Sequence, residues 1–163
     1  MVPVNNENLF WQRLIRNVAV YYFAAAQQPG KQAKFDFFFM HGVNSSLFFP
    51  KLMSLPFVDV RYRQRLLEWK GRLDLLLYVG GGAPPVYDAG RPKRPQYAAA
   101  TDLKAVFAHS VAHPQDDGHL PKLVRALLYG QQVCAPFAND LDLPVKEDDW
   151  LKIVNMGESN LQL

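Results

Sequence analysis

Cysteine is almost missing from this chain: Cys134 stands alone among 163 residues. A disulfide framework and a thiolate metal cluster are therefore excluded, and a reducing compartment is the natural setting. Long apolar runs are missing too, since no uncharged stretch approaches the ~20 residues of a membrane-spanning helix. The opening MVPVNNENLF has neither the basic nor the apolar region of a signal peptide. A soluble cytoplasmic protein is expected. Nucleotide fingerprints are also lacking. Neither GxGxxG nor GxxxxGK occurs, and Gly80-Gly81-Gly82 follows a helical pattern rather than a strand. There is no GxSxG elbow, HExxH or CxxC, no strand-like alternation, no internal repeat and no low-complexity tract.

What the chain does have is apolar bulk, 49% hydrophobic and 13% aromatic, enough for one core and one domain over 1–163. The net charge is +3 but uneven: residues 1 to 80 hold ten Lys/Arg against five Asp/Glu, and residues 81 to 163 hold eight against ten. From Asn8 to Gln28 the residues Phe10, Leu14, Val18, Tyr21 and Ala25 recur at helical spacing, closed by Pro29-Gly30. A second helix is expected from Asp36 to Pro50, apolar almost all round and therefore buried. A third, about Arg61 to Val79, places Tyr62, Leu66, Trp69, Leu73 and Leu76 on one apolar stripe. Four Gly and four Pro between Gly80 and Tyr97 predict a long irregular loop. Thr101 is a candidate cap for a short helix through Ala112, Pro121 fits the first turn of a helix to about Cys134, and Asp148 or Asp149 would cap a last one. The expected fold is all-α, with five to six helices.

Three polar residues interrupt the Phe-rich stretch FDFFFMHGVNSSLFFP. On a helix His41, Asn44 and Ser45 fall within an arc of about 100°. Buried without partners, such groups cost roughly 1 to 3 kcal/mol each, so they form either an internal hydrogen-bond network or a ligand site with His41 as a metal ligand or base. A second constellation, HSVAHPQDDGHLPKLVRAL, holds His109, His113, His119, Lys122 and Arg125. His109 and His113 share a face turned from the apolar positions and read as surface histidines. His119 sits at a turn before a helix that carries Lys122 and Arg125 on one stripe. An ammonium has no lone pair, so Lys122 could hold a metal only after deprotonation or as its carbamate, whose oxygens suit non-haem iron. Arg61, Arg63, Arg65, Lys70 and Arg72 flank the third helix's stripe, but no recognised nucleic-acid module accompanies them, and no nucleic-acid partner is expected.

The stretches AVYYFAAAQQPGKQAKFDFFFMHGVNSSLFFP, RQRLLEWKGRLDLLLYVGGGAPP, DDGHLPKLVRALLYGQQVC and, more weakly, WLKIVNM resemble the questin oxidase-like proteins. That family includes the oxidoreductases of fungal anthraquinone and aflatoxin biosynthesis. Its members are considerably longer, and this chain looks like their C-terminal portion. The resemblance implies an oxygen-using enzyme of secondary metabolism, a Baeyer–Villiger-type monooxygenase or ring-cleaving oxygenase acting on polyketide-derived aromatics such as anthraquinones. It implies NADPH as reductant and a non-haem iron. Carried over by motif, His41 and His119 would be metal ligands and Lys122 a ligand as its carbamate, with Asn44, Ser45 and Arg125 as supporting or substrate-positioning groups. His113 matches weakly and His109 not at all. Pro121 and the closing NMGESNLQL depart from the family pattern, and the family's further paired histidines have no counterpart here. Two other readings follow: a catalytically silent fragment of such an enzyme, or a non-enzymatic helical module that uses its basic helix.

Overall fold

The structure is a computed structural model and describes residues 6–27, 34–86, 103–114, 116–137 and 143–160. All regular elements among them are helical: α1 (Asn6–Ala25), α2 (Phe37–Ser45), α3 (Phe49–Ser54), α4 (Val60–Gly80), α5 (Leu103–Ala112), α6 (His119–Cys134) and α7 (Glu147–Asn160). Short 3-10 turns at Ser46–Phe48 and Ala135–Phe137 join α2 to α3 and extend α6. Among the described residues the helical runs number six when joined turns are counted with their helices. The expected loop beyond Val86 and the cap at Thr101 lie outside the described residues.

Helices α1 and α6 are central. The first packs on α2, α4 and α6, and the second also on α2, α5 and α7. The core between them holds Val20, Phe23, Leu123, Leu127, Trp150 and Ile153, each 1% exposed or less. Polar side chains also tie α1 down. The Asn17 amide donates to Val145 O at 3.0 Å and accepts from Val145 N at 2.9 Å, so it pairs like a peptide group with a segment 128 residues away. The Arg16 guanidinium donates to Ser46 O at 2.7 Å and lies over the Tyr129 ring. The α1 stripe expected from spacing is therefore displaced: Val18 is exposed, while Asn17, Ala19 and Val20 are fully buried. A helix with neighbours on three sides buries more than one stripe.

Helix α2 begins where expected, with the Asp36 carboxylate accepting from Phe39 N at 2.9 Å. It is neither a single run to Pro50 nor buried all round. Pro50 sits in the first turn of α3, where its missing N–H costs nothing, and Phe37, Phe38 and Phe48 are exposed. On its inner side Gly42 makes the closest approach. A Cβ there would lie 2.7 Å from the Tyr22 hydroxyl and 3.2 Å from Asp74 Oδ1, so any side chain would push α2 off α1 and α4.

Helix α4 is the largest departure from expectation. Its buried residues are Leu67, Lys70 and Asp74, and the apolar stripe Tyr62, Leu66, Trp69, Leu73 and Leu76 faces outward. Lys70 grips both carboxylate oxygens of Asp74 inside the protein. Desolvation by burial dominates both groups, raising the Asp74 carboxyl and lowering the Lys70 amine despite their mutual attraction. The same two causes, burial and then the Asp74 charge, push the Tyr22 phenol up and keep its proton in place. Arg63 is spent on Val58 O and Leu55 O, and Arg72 on Glu68. The glycine run is structural: a Cβ at Gly81 would meet the Phe39 ring at 2.7 Å, so this end of α4 closes directly over α2.

Helix α6 starts at His119 rather than after it, because Asp116 accepts from Gly118 N at 2.6 Å and from Leu120 N at 2.9 Å. Helix α7 is capped by neither Asp148 nor Asp149 in the expected sense. Asp149 reaches back from inside the helix to Lys146 N at 3.1 Å.

Asp74→Ala should cost about 3–5 kcal/mol by stranding Lys70, whereas Lys70→Met/Asp74→Leu should be neutral or stabilising by about 1–4 kcal/mol. Thermal unfolding of the two variants against the parent checks the contrast.

Candidate functional site

Helix α2 and the first turn of α6 bring His41 and His119 together from 78 positions apart in sequence. Their ring centroids lie 5.9 Å apart at an interplanar angle of 85°. The Phe37 ring touches both, 4.6 Å from His41 and 5.3 Å from His119. His41 is exposed and His119 half-buried, so the pair opens to the surface. The Asp117 carboxylate engages His119 Nδ1, which leaves Nε2 as the free nitrogen. That contact, with His119's charge, holds Asp117 below the usual carboxylate range.

Lys122 follows His119 by three residues, almost one turn on, and is half-buried. Slight burial, then the Lys122 ammonium, then His119 hold the His41 imidazole below the ordinary histidine value. Acid must therefore go further before His41 takes up a proton, and it offers a lone pair at neutral pH.

The three polar residues of α2 do not share one setting. His41 is exposed, Asn44 is buried, and Ser45 is half-buried with its hydroxyl donating to Gly42 O at 2.8 Å. The 100° arc straddles the border between the solvent and core sides of a nine-residue helix. Neither Oδ1 nor Nδ2 of Asn44 meets a hydrogen-bonding partner among the described residues. Arg125 is exposed on α6 beyond Lys122 and makes no ion pair among the described residues. His109 and His113 face each other elsewhere, with centroids 6.4 Å apart. His109 is exposed, but His113 is half-buried rather than a surface residue. Among the described residues no three His, Cys, Asp or Glu side chains converge as a metal cluster.

Two further residues complete the pair. Phe37, which the helical projection places beside His41, is 40% exposed and bridges the imidazoles. Asp117 is not among the sequence-derived candidates, and its position two residues before His119 is the available signal.

Residues 11–127 match the family described as questin oxidase-like, and the chain belongs to that family. It is similar to Baeyer-Villiger oxidase ptaJ of Pestalotiopsis fici, 41% identical over 146 residues, which are 86% of this chain and 32% of that protein. To Baeyer-Villiger oxidase mdpL of Emericella nidulans it is 41% identical over 154 residues, 90% of this chain and 34% of that protein. To the questin oxidase of Aspergillus fumigatus it is 37% identical over 147 residues, 85% of this chain and 32% of that protein. The chain thus spans about a third of the length of the curated relatives it matches.

Lys122→Met should raise the pH at which His41 titrates, because a positive neighbour that opposes protonation is removed. Imidazole NMR signals followed against pH check this, and an unmoved His41 would separate the two groups. Asn44→Leu should hold or raise the melting temperature, since an unpartnered buried amide costs about 1–3 kcal/mol. A clear loss of stability would show that the amide has a partner.

Proposed function

We propose that this chain supplies one side of the active site of an oxidoreductase, a Baeyer–Villiger-type monooxygenase or ring-cleaving oxygenase acting on polyketide-derived aromatics such as anthraquinones in secondary metabolism. The observation that carries the reading is the meeting of His41 and His119 beside Lys122 in a questin oxidase-like chain. O2 is the oxidant and NADPH the reductant. One oxygen atom enters the substrate between a carbonyl carbon and its neighbour, and the other leaves as water with two electrons from NADPH. The setting is the cytoplasm, which suits the one buried free thiol of Cys134.

The residues present fit part of a metal shell. Two imidazoles on one metal, with bonds near ~2 Å, have ring centroids roughly 4.5–6.5 Å apart, and 5.9 Å falls in that interval. A carboxylate on the far nitrogen of a ligating histidine, as Asp117 is on His119, fixes the ring's orientation and tautomer. Lys122, an ammonium in the metal-free chain, stands in the first turn of α6, where the positive end of the helix dipole would favour its conversion by CO2 to a carbamate anion. His41, His119 and Lys122 as its carbamate would hold a non-haem iron, which when bound supplies the activation of O2. Phe37, Phe38 and Phe48, all exposed, would pack against a flat aromatic substrate. Arg125 offers a guanidinium to a phenolate or quinone oxygen. Asn44 and Ser45 act as supporting or substrate-positioning groups behind His41.

The test is metal analysis of protein purified without oxygen in the presence of ferrous iron. The expected result is near-stoichiometric iron, lost in His41→Ala and His119→Ala, and held roughly 10–100-fold more weakly in Asp117→Ala. Iron retained by the double His41→Ala/His119→Ala variant would overturn the assignment.

A second reading rests on the chain's coverage of about a third of its relatives and on the lack, among the described residues, of three His, Cys, Asp or Glu side chains placed to hold a metal. In that reading the chain alone binds no iron and is catalytically silent. Absence of iron from the unsubstituted chain decides for it.

A further inference from the structure

The outward face of α4 has the form of a helix-pairing seam. Tyr62, Leu66, Trp69, Leu73 and Leu76 alternate in steps of four and three, the 3.5-residue repeat by which one helix packs along another. They are 64, 36, 56, 47 and 67% exposed. On another face of α4 a groove of about 530 Å³ lies against α1, lined by Trp11, Ile15, Leu67, Arg65, Glu68 and Arg72 and by none of the seam residues. Five large apolar side chains exposed along one helix face are unusual on a protein with nothing bound to it.

Charge decides between occupants. If the seam positions are the a and d sites, Arg65 and Arg72 occupy successive g sites, and Arg63 and Lys70 the e sites. In an antiparallel pair of copies g faces g, which sets Arg65 against the other copy's Arg72. In a parallel pair g meets the e side, where Arg63 is bonded to Val58 O and Leu55 O and Lys70 is buried against Asp74, so no carboxylate there answers Arg65 and Arg72. Flanking charges of this sort choose the partner and reject like-charged ones. Arg65 has no ion pair among the described residues, and Arg72 shares only Glu68.

We propose that α4 is a docking face for an amphipathic helix with carboxylates beside its own apolar stripe, contributed by the part of a family-length polypeptide that this chain does not span. The seam lies inside the family match at residues 11–127. The relatives that match the chain from end to near end carry about two-thirds of their length outside it, which supplies ample chain to cover the seam. The residues at stake are separate from His41, His119 and Lys122.

The test co-expresses the tagged 163-residue chain with the untagged two-thirds of the Emericella nidulans relative that it does not match. The expected result is a one-to-one complex by light scattering. Leu66→Gln/Leu73→Gln and Leu66→Glu/Leu73→Glu should abolish it with unchanged helical circular dichroism, and Val111→Glu, exposed on α5, should not. Arg65→Glu/Arg72→Glu should weaken it roughly tenfold. Failure of the unsubstituted chain to co-purify, or a complex indifferent to Leu66 and Leu73, would overturn the proposal. So would a homodimer of the chain alone that the Leu66 and Leu73 substitutions split. Iron retention reads the histidines and co-purification reads α4, so the two proposals fail separately.

Discussion

The placement of α2 depends on a glycine pressed against a buried ion pair. Gly42 has room for a hydrogen and nothing more between the Tyr22 hydroxyl and Asp74, and Asp74 is held in turn by Lys70 from one turn earlier on α4. Burying two charges is unfavourable in itself, as their opposed displacements from ordinary ionisation show. The arrangement persists because the charges satisfy each other and because three helices meet there. Fixing one side of α2 in this way leaves the other side, with Phe37 and His41, turned toward the start of α6.

From that geometry the site follows with little further provision. Asp116 organises the turn that starts α6, Asp117 takes one nitrogen of His119, and the next turn brings up Lys122. His41 comes from the other direction, kept neutral by its surroundings. The result is a shallow, one-sided constellation on the surface. It is open to the surface rather than enclosed, in a chain that spans about a third of its relatives' length.

Much of the fold was legible because helices announce themselves by period, cap and breaker. Asp36, Pro121 and Gly80-Gly81-Gly82 all mark boundaries close to where the structure has them. Which face of a helix is covered was not legible at α4. Periodicity shows that Tyr62, Leu66 and Trp69 share a side, but it assumes that the apolar side is the inner one. Here the inner side carries Lys70 and Asp74, a pair at helical spacing that looks from sequence like an ordinary surface bridge. At the site, motif order named His41 and His119, whereas their contact through Phe37 depends on the approach of two helices that no local pattern records. Asn44 and Ser45 were grouped with His41 by angle alone, and the core boundary passes between them.

The pairing of Asn17 with Val145 has a consequence in time. At roughly 5–20 residues per second of synthesis, the 128 residues between them take about 6–26 s to make. For that interval a side chain in the middle of α1, fully buried in the finished protein, has only water to bond. Helix α1, made before α2 to α7, is among the last of them to be completed, so their folded order runs partly against the order of synthesis.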